Sequence, residues 1–195
     1  DEIELIHSVF QVMNQISPDV VMVWNMAFDL DFIMKRIEYL GYDPVDIICD
    51  PRIKEKFLKF YIDVRNKNEF AERGDFVDVS QYIVWLDQMI QFASRRKGRG
   101  QYPSFKLDDI GYAIAGVNKL DYSHITSDIN MLPYLNYLIF SWYNIMDTIV
   151  QKCIESKAAD VDYIFAKCLI NNTKYAKGHR QSVYLANRFT KDFYD

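Results

Sequence analysis

The chain has 195 residues, half of them hydrophobic and 15% aromatic. This length and apolar content suit one domain, or one domain with an appendage, and exclude a disordered chain. The formal net charge of −4 argues against a protein that coats duplex DNA through a broad basic surface, but it leaves open enzymes that hold cations with carboxylates. The three cysteines are widely spaced, which argues against zinc and favours a reducing compartment. No apolar run reaches membrane-spanning length and no signal peptide opens the chain.

The first forty residues predict a helix, a strand and a second helix. Apolar residues at spacings of three and four predict an amphipathic helix over 2–16. The apolar run 20–24 predicts a buried strand covered on both faces, as in a parallel or mixed sheet. A helix over about 29–40 should end at Gly41. This succession predicts a layered α/β domain.

The remaining elements are predicted less regularly. Residues 42–75 are polar and charged and show a less regular pattern. The segment 76–86 is predicted to begin as a strand. A helix capped by Ser104 should end near Gly116. A long helix over 132–155 shows one apolar stripe, formed by Leu135, Leu138, Trp142, Ile145 and Ile149.

A first candidate site follows the predicted strand. Asn25 and Phe28-Asp29 lie where that strand ends and the second helix begins, and in α/β sheets ligands bind beyond the carboxyl ends of strands. Asp29 can bind a metal there, and Asn25 can hydrogen-bond a substrate. The alternative is structural: Asn25 makes a turn and Asp29 caps the helix or complements its dipole. Position alone favours this alternative.

A second candidate site lies on the long helix. Tyr143 and Asp147 are four residues apart and therefore share a helix face. A phenol beside a metal-binding carboxylate can orient an attacking water. The alternative is that the two residues mark the solvent boundary of an amphipathic helix, and taken singly this pattern is weak.

Taken together and in this order, the two patterns resemble the second and third exonuclease motifs of family B DNA polymerases. The residues between them agree, since Phe76-Val77-Asp78-Val79 is similar to the family's intervening strand. Ser104-Phe105-Lys106-Leu107 is similar to its Ser-aromatic-Lys-Leu helix start. The resemblance covers roughly residues 1–157 and extends faintly through 178–189.

The resemblance implies a ribonuclease-H-like α/β fold and a proofreading 3′→5′ exonuclease that hydrolyses single-stranded DNA from its 3′ end. Such domains hold two divalent ions, Mg²⁺ or Mn²⁺, with four carboxylates. Asp29 would be the second-motif carboxylate and Asp147 the third, with Tyr143 placing the nucleophilic water. Asn25 and Phe28 would contact the frayed 3′ end. The implied partners are that DNA end and the polymerase domains of the same chain, with no membrane.

One departure from the family pattern is plain. The first motif, Asp-x-Glu on an opening strand, should precede the first helix, whereas Glu2 and Glu4 start that helix. We therefore expect the chain to be a piece of a longer protein that lacks two metal carboxylates and the first strands of the sheet. Such a piece should be inactive alone and bind no metal tightly. Residues 1–157 would form the incomplete exonuclease domain, and 158–195 a connection toward the polymerase part.

Two other functions stay open from the sequence. One is a stand-alone nuclease of the DEDD type, acting on RNA or DNA; the other is a non-catalytic ribonuclease-H-like module that binds nucleic acid. A polymerase part downstream would separate the first from the proofreading domain. An Asp-x-Glu strand upstream would exclude the second. Bacterial or virus-infected cytoplasm and the nucleus both fit.

Several other polar residues have an ordinary interpretation. Asp31 fits a solvated first-turn charge and Asp78 a structural strand residue. The basic cluster 95–99 fits a solvated loop, with a grip on the DNA backbone as the alternative. The three histidines show no metal-ligand spacing: His7, His124 and His179.

Overall fold

The structure is a computed structural model that describes residues 1–63, 76–96, 102–175 and 181–194. The chain divides into two compact units, the first made of Asp1–Lys97 with Tyr163–Asp195 and the second of Gly98–Asp162. The strands are β1 (Val20–Val23), β2 (Phe60–Asp63), β3 (Phe76–Val79) and β4 (Val84–Asp87). The helices are α1 (Glu2–Ile16), α2 (Met26–Tyr39), α3 (Pro44–Ile48), α4 (Gln88–Arg96), α5 (Leu107–Ala115), α6 (Leu132–Leu135), α7 (Tyr137–Ala158), α8 (Asp160–Ile170) and α9 (Gln181–Tyr194), with short 3-10 helices at Glu55–Phe57 and Ile129–Met131.

Two small sheets lie in the first unit. β1 pairs in parallel with β4, with Val20 opposite Val84 and Val23 opposite Asp87. β2 pairs antiparallel with β3. The predicted parallel strand is therefore confirmed, but its predicted burial on both faces is wrong, because all four β1 residues are only half-buried. Within the described part of the chain, β1 has a single strand neighbour, so less of its surface is covered than in a central strand.

The core of the first unit lies between its helices and strands. Its buried cluster draws on α1, α2, α3, β3 and β4, and consists of Ile3, Phe10, Met26, Leu30, Ile37, Ile47, Ile48, Val77, Ile83 and Trp85. The predicted helix over 2–16 is confirmed. Within the less regular segment 42–75, the described residues form two short elements, α3 and β2. α3 begins where the Asp43 carboxylate accepts a hydrogen bond from the Val45 amide at 2.8 Å, a local cap that the sequence analysis overlooked.

The second unit is built on the packing of α5 against α7. Gly111 allows the close approach, because a Cβ at this position would lie 2.5 Å from Val150 Cγ1. α5 ends at Gly116, whose φ of 69° is left-handed, as predicted. The predicted Ser104 cap is wrong: Lys106 occupies the N-cap position, and the Ser104 hydroxyl accepts from the Lys106 amide at 3.1 Å.

The long helix differs from its prediction in being divided. It divides at Asn136 into α6 and α7, because the Asn136 side chain caps α7 by accepting from the Ile139 amide at 3.1 Å. The apolar stripe is exposed, with relative exposures from 39% to 66% for Leu135, Leu138, Trp142, Ile145 and Ile149. The face that α7 buries carries Val150, Ile154 and Ala158.

Mixed helices and small sheets are compatible with an α/β exonuclease domain. The ribonuclease-H-like arrangement of layers stays a prediction. The predicted division at residue 157 into an exonuclease domain and a connection also stays a prediction. The two compact units describe packing and do not show which residues carry the exonuclease function. Among the described helices, none is long and apolar enough to cross a bilayer.

Candidate active site

The first candidate segment, Asn25–Asp29, forms the junction between β1 and α2. Asn25 has φ 75° and ψ 57°, a left-handed conformation that asparagine tolerates better than most residues. Asn25 therefore makes a turn, as its structural alternative predicted, and its side chain does not cap α2. Phe28 is 68% exposed, and Asp29 is also exposed in the first turn of α2. These two side chains are therefore exposed to solvent.

A buried carboxylate from β4 builds this junction. Asp87 is 2% exposed; its Oδ2 accepts from the Met26 amide at 2.8 Å, and its Oδ1 accepts from the Ile90 amide at 2.9 Å. One side chain thus satisfies first-turn amides of both α2 and α4, which otherwise lack partners. α2 begins three residues before its predicted start because this cap comes from a distant strand.

Asp87 is the main residue of the β1–α2 junction that the sequence analysis missed. An available signal was the pattern of an apolar strand ending in a carboxylate before a helix, as in Val84-Trp85-Leu86-Asp87. That pattern identifies a helix N-cap. The hydrogen bond to Met26, 61 positions away, is a tertiary contact that no local pattern contains.

The second candidate segment forms a side-chain network in the second unit. Tyr143 and Asp147 share one face of α7, as predicted, and both contact Lys119. The Lys119 ammonium donates to Asp147 Oδ2 at 2.7 Å and to the Tyr143 hydroxyl oxygen at 3.1 Å. The Lys119 and Asp147 side chains are about one quarter exposed. The two residues therefore form a semi-buried ion pair, a stronger contact than an exposed one.

The backbone at Lys119 is held in place by Asp108. The Lys119 amide donates to Asp108 Oδ1 at 2.7 Å, and Asn118 donates to the same oxygen at 3.2 Å. Burial opposes the charge of Lys119, but its contacts with Asp147 and Tyr143 outweigh that effect and raise the pKa of the ammonium. Lys119 thus stays protonated at neutral pH. The sequence analysis missed it because a lone lysine in a loop carries no local signal.

An open polar cavity of about 660 Å³ adjoins the network. Tyr143 lines it, with Tyr122 packed edge-on against the Tyr143 ring at 5.3 Å between centroids. The remaining lining is Asp108, Asn118, Lys119, Leu120, Asp121, Ser123, Thr126 and Ser127. Its many hydroxyl, amide and charged groups suit a polar ligand better than an apolar one.

One observation bears on metal binding. Asp147 Oδ1 is buried and has no hydrogen-bond partner in the described structure, so the carboxylate keeps an acceptor available for a cation. A hard divalent ion needs several oxygen ligands, and the described residues contain no group of three carboxylate, histidine or cysteine side chains placed to hold one. Asp147 thus fits as one ligand, but the described residues do not complete a metal site. Asp29 belongs to the first unit and Asp147 to the second, and their approach stays a prediction.

The remaining predicted residues occupy ordinary positions. Asp31 pairs with Lys35 at 2.7 Å on the exposed side of α2. Asp78 pairs with Lys59. Glu2 lies in the first turn of α1 and pairs with Arg36 at 2.6 Å. His179 and the part of the basic cluster beyond Arg96 lie outside the described residues.

The helices and small sheets are those of an α/β protein, and the second unit carries an open polar cavity beside the Lys119 network. Residues 1–110 match the family described as DNA polymerase family B, exonuclease domain. Because this match spans more than half of the chain, the chain belongs to that family. The match contains the Asn25–Asp29 segment and ends before α7, so Tyr143 and Asp147 lie outside it. No curated protein matches the chain.

Proposed function

We propose that this chain carries part of a proofreading 3′→5′ exonuclease site, which removes nucleotides from single-stranded DNA ends. The proposal is supported by the family membership of residues 1–110. The observation that carries it furthest is the Asp147 carboxylate, which is ion-paired through one oxygen while the other is buried without a donor. A buried acceptor of this kind is costly unless a cation or donor completes it.

The first unit supplies contacts to the DNA end. Phe28 is exposed in the first turn of α2 and presents a ring on which a terminal base can stack. Asn25 precedes it in the turn and offers an amide for hydrogen bonds to the sugar or base. Asp29 follows directly and supplies a carboxylate to the same place. In this proposal the three side chains hold the terminal nucleotide.

The second unit supplies proton and charge placement. Lys119 donates a hydrogen bond to the Tyr143 oxygen, so the phenol proton is left to donate elsewhere. Tyr143 lines the open cavity, where that proton can orient a water or a phosphate oxygen. The same ammonium donates to Asp147 Oδ2 at 2.7 Å, so one lysine fixes the positions of both side chains.

The family normally uses divalent metals. When bound, such ions activate a water and stabilise the leaving oxygen. We propose that Asp29 and Asp147 are two of the ligands and that the others come from a part of the longer protein outside these 195 residues. The 195 residues alone should then hold no such ion tightly.

A strand-degradation assay tests the proposal. A single strand labelled at its 5′ end is incubated with Mg²⁺ or Mn²⁺ and either the 195-residue chain or a longer product of its gene. We expect the short chain to be nearly inactive and the longer protein to shorten the strand stepwise from its 3′ end. Robust trimming by the short chain would contradict the proposed metal ligands.

A matched pair of substitutions on α2 makes the assay specific. Asp29→Ala in the longer protein should abolish trimming, whereas Asp31→Ala, two residues along the same helix, removes only the exposed pair with Lys35 and should leave the rate unchanged. Equal effects would refute the assignment of Asp29. An inactive longer protein that still binds single strands would instead support the non-catalytic module.

A further inference from the structure

The C-terminal part of the first unit differs in charge from the rest of the molecule. The whole chain has a formal net charge of −4. The described residues 163–175 and 181–194 reverse that sign, because they contain four cationic side chains and a single carboxylate, Asp192. The four cations are Lys167, Lys174, Arg188 and Lys191. This segment lies outside the family match and contains none of the candidate catalytic residues.

Aromatic rings are interleaved with cations in this region. The Arg95 guanidinium of α4 lies 4.6 Å from the centre of the Tyr163 ring on α8. The Lys167 ammonium, one turn along α8, lies 5.8 Å from the Tyr163 ring and 3.8 Å from the Tyr184 ring on α9. The order cation, ring, cation, ring runs across three helices, and we call these four residues the cation–aromatic row.

Lys167 is the least compensated member of the row. Its side chain is half-buried, and no carboxylate of the described residues pairs with it. Burial is the main cause that lowers the pKa of its ammonium. The faces of two tyrosines compensate part of the lost hydration, and an anion placed against the ammonium would complete it.

The outer side of the row is open to solvent. Tyr163 is 45% exposed. None of the described residues of α9 is buried. Arg188 lies four residues after Tyr184, and Lys191 lies three residues after Arg188, so the three share a helix face. Arg188 pairs with Asp192 at 2.8 Å on this exposed surface. A ligand that reaches the row would therefore meet one paired and one further cation, Arg188 and Lys191, along α9.

We propose that the cation–aromatic row is a contact surface for a single-stranded nucleic acid, separate from the exonuclease site. Exposed rings accept unpaired bases by stacking, and interleaved cations contact the phosphates between them. A duplex hides its base faces, so it would use only the charges. The row is therefore expected to prefer single strands and to show little sequence preference.

Binding to the 195-residue chain tests the proposal without any nuclease activity. The probe is a fluorescein-labelled strand of 20 thymidines, and anisotropy is measured in EDTA from low to moderate salt. Lys167→Gln should weaken binding about fivefold or more and reduce the slope of log K against log salt by about 0.7, the value for one phosphate contact on a single strand. Tyr163→Leu should weaken binding about tenfold, through lost stacking.

Two control variants keep the outcome interpretable. Lys152→Gln makes the same charge change at an exposed position of α7 and should bind like the unmodified chain. Lys167→Arg keeps the cation and should restore binding to within about twofold. Circular dichroism identifies any variant that fails to fold, in which case Lys167→Arg and the salt slope of the unmodified chain carry the test.

Several results would overturn the proposal. One is unchanged binding in both Lys167→Gln and Tyr163→Leu, which would mean that the row only holds α8 and α9 together. A second is an equal loss in Lys152→Gln. A third is equally tight binding to a duplex or to phosphatidylserine vesicles, since bare charge attraction would then account for the affinity. Because EDTA removes divalent ions, none of these results depends on whether the exonuclease proposal is right.

Discussion

The two candidate segments are positioned by different means. At the junction of β1 and α2, the backbone places the functional side chains: Asn25 makes a left-handed turn, and the buried Asp87 holds the first turn of the helix. On α7, side chains do the positioning, because Lys119 contacts both Asp147 and Tyr143. Asp29 is exposed, whereas Asp147 is semi-buried.

Because of this difference, substitutions at the two segments should differ in how they affect stability and activity. At the junction of β1 and α2, the carboxylate with the largest structural role is Asp87, and the proposed functional carboxylate, Asp29, is exposed. On α7, the proposed functional carboxylate, Asp147, is itself part of the side-chain network. Substitutions should therefore affect folding and catalysis separately at α2, but together at α7.

The largest expected effect is that of Asp147→Ala in the longer protein. It removes the proposed metal ligand and leaves the Lys119 ammonium half-buried without its carboxylate. We expect the exonuclease rate to fall by about 10³-fold or more. Polymerase domains are expected in the longer protein from the resemblance alone, and primer extension by them should be unchanged. Paired exonuclease and primer-extension assays check this. A mild loss would mean that the metal site lies elsewhere in the protein.

Tyr143→Phe should have a smaller effect on the same rate. It deletes one hydroxyl, leaves Asp147 in place, and keeps the ring packed against Tyr122. Loss of one positioning hydrogen bond costs about 10²–10³ in rate at most. Single-turnover rates at saturating Mn²⁺ for this variant and for Asp147→Ala give the comparison. Equal losses with unchanged metal affinity would assign proton transfer to the phenol.

Asp87→Asn should act on folding. The amide oxygen of asparagine can accept from either Met26 or Ile90, but its NH₂ group then faces the other amide, so one buried donor loses its acceptor. We expect a loss of about 2–3 kcal/mol in the free energy of unfolding. Asp31→Asn, on the exposed side of α2, should change that free energy by less than about 0.5 kcal/mol. Urea denaturation measures the free energy of unfolding of both variants. An equally small loss in Asp87→Asn would mean that Asp87 does not hold the first turn of α2.

The sequence predicted the parts of the fold that depend on local signals. The periodicity of 2–16 predicted α1 with its observed bounds, and Gly116 ended α5 as predicted. The apolar run before Asn25 correctly predicted a strand in a parallel pair. Such signals are contained within a few residues, and for these elements the tertiary structure agrees with them.

The failures have a tertiary cause. The start of α2 depends on Asp87, which lies on another strand, and the Lys119 network depends on a loop that Asp108 holds. The exposure of the stripe that includes Trp142 could not be predicted, because periodicity identifies an apolar face but not what covers it. The placement of Tyr143 and Asp147 on one face was predictable from their spacing alone, and their shared lysine was not.

The smallest expected effect concerns Glu155, which differs from Asp87 in how completely its oxygens are used. Asp87 accepts through both oxygens, whereas Glu155 accepts from the Val161 amide through Oε1 at 2.9 Å and leaves Oε2 buried without a partner. Burial is the main cause that raises the pKa of Glu155, partly opposed by the Val161 amide and reinforced by the charges of Asp160 and Asp162. The folded state therefore binds this proton more tightly than the unfolded state. The stabilisation that comes from this bound proton is complete below the unfolded pKa of about 4.3 and disappears as pH rises through the folded pKa.

Glu155→Gln keeps the acceptor for Val161 and removes the charge, so it should stabilise the chain by about 0.5–1 kcal/mol at pH 8 and by little at pH 4. Urea denaturation at the two pH values measures this, with Glu38→Gln on the exposed surface of α2 as the matched control. A gain at pH 4 as large as at pH 8 would show that the ionisation of Glu155 is not its cause.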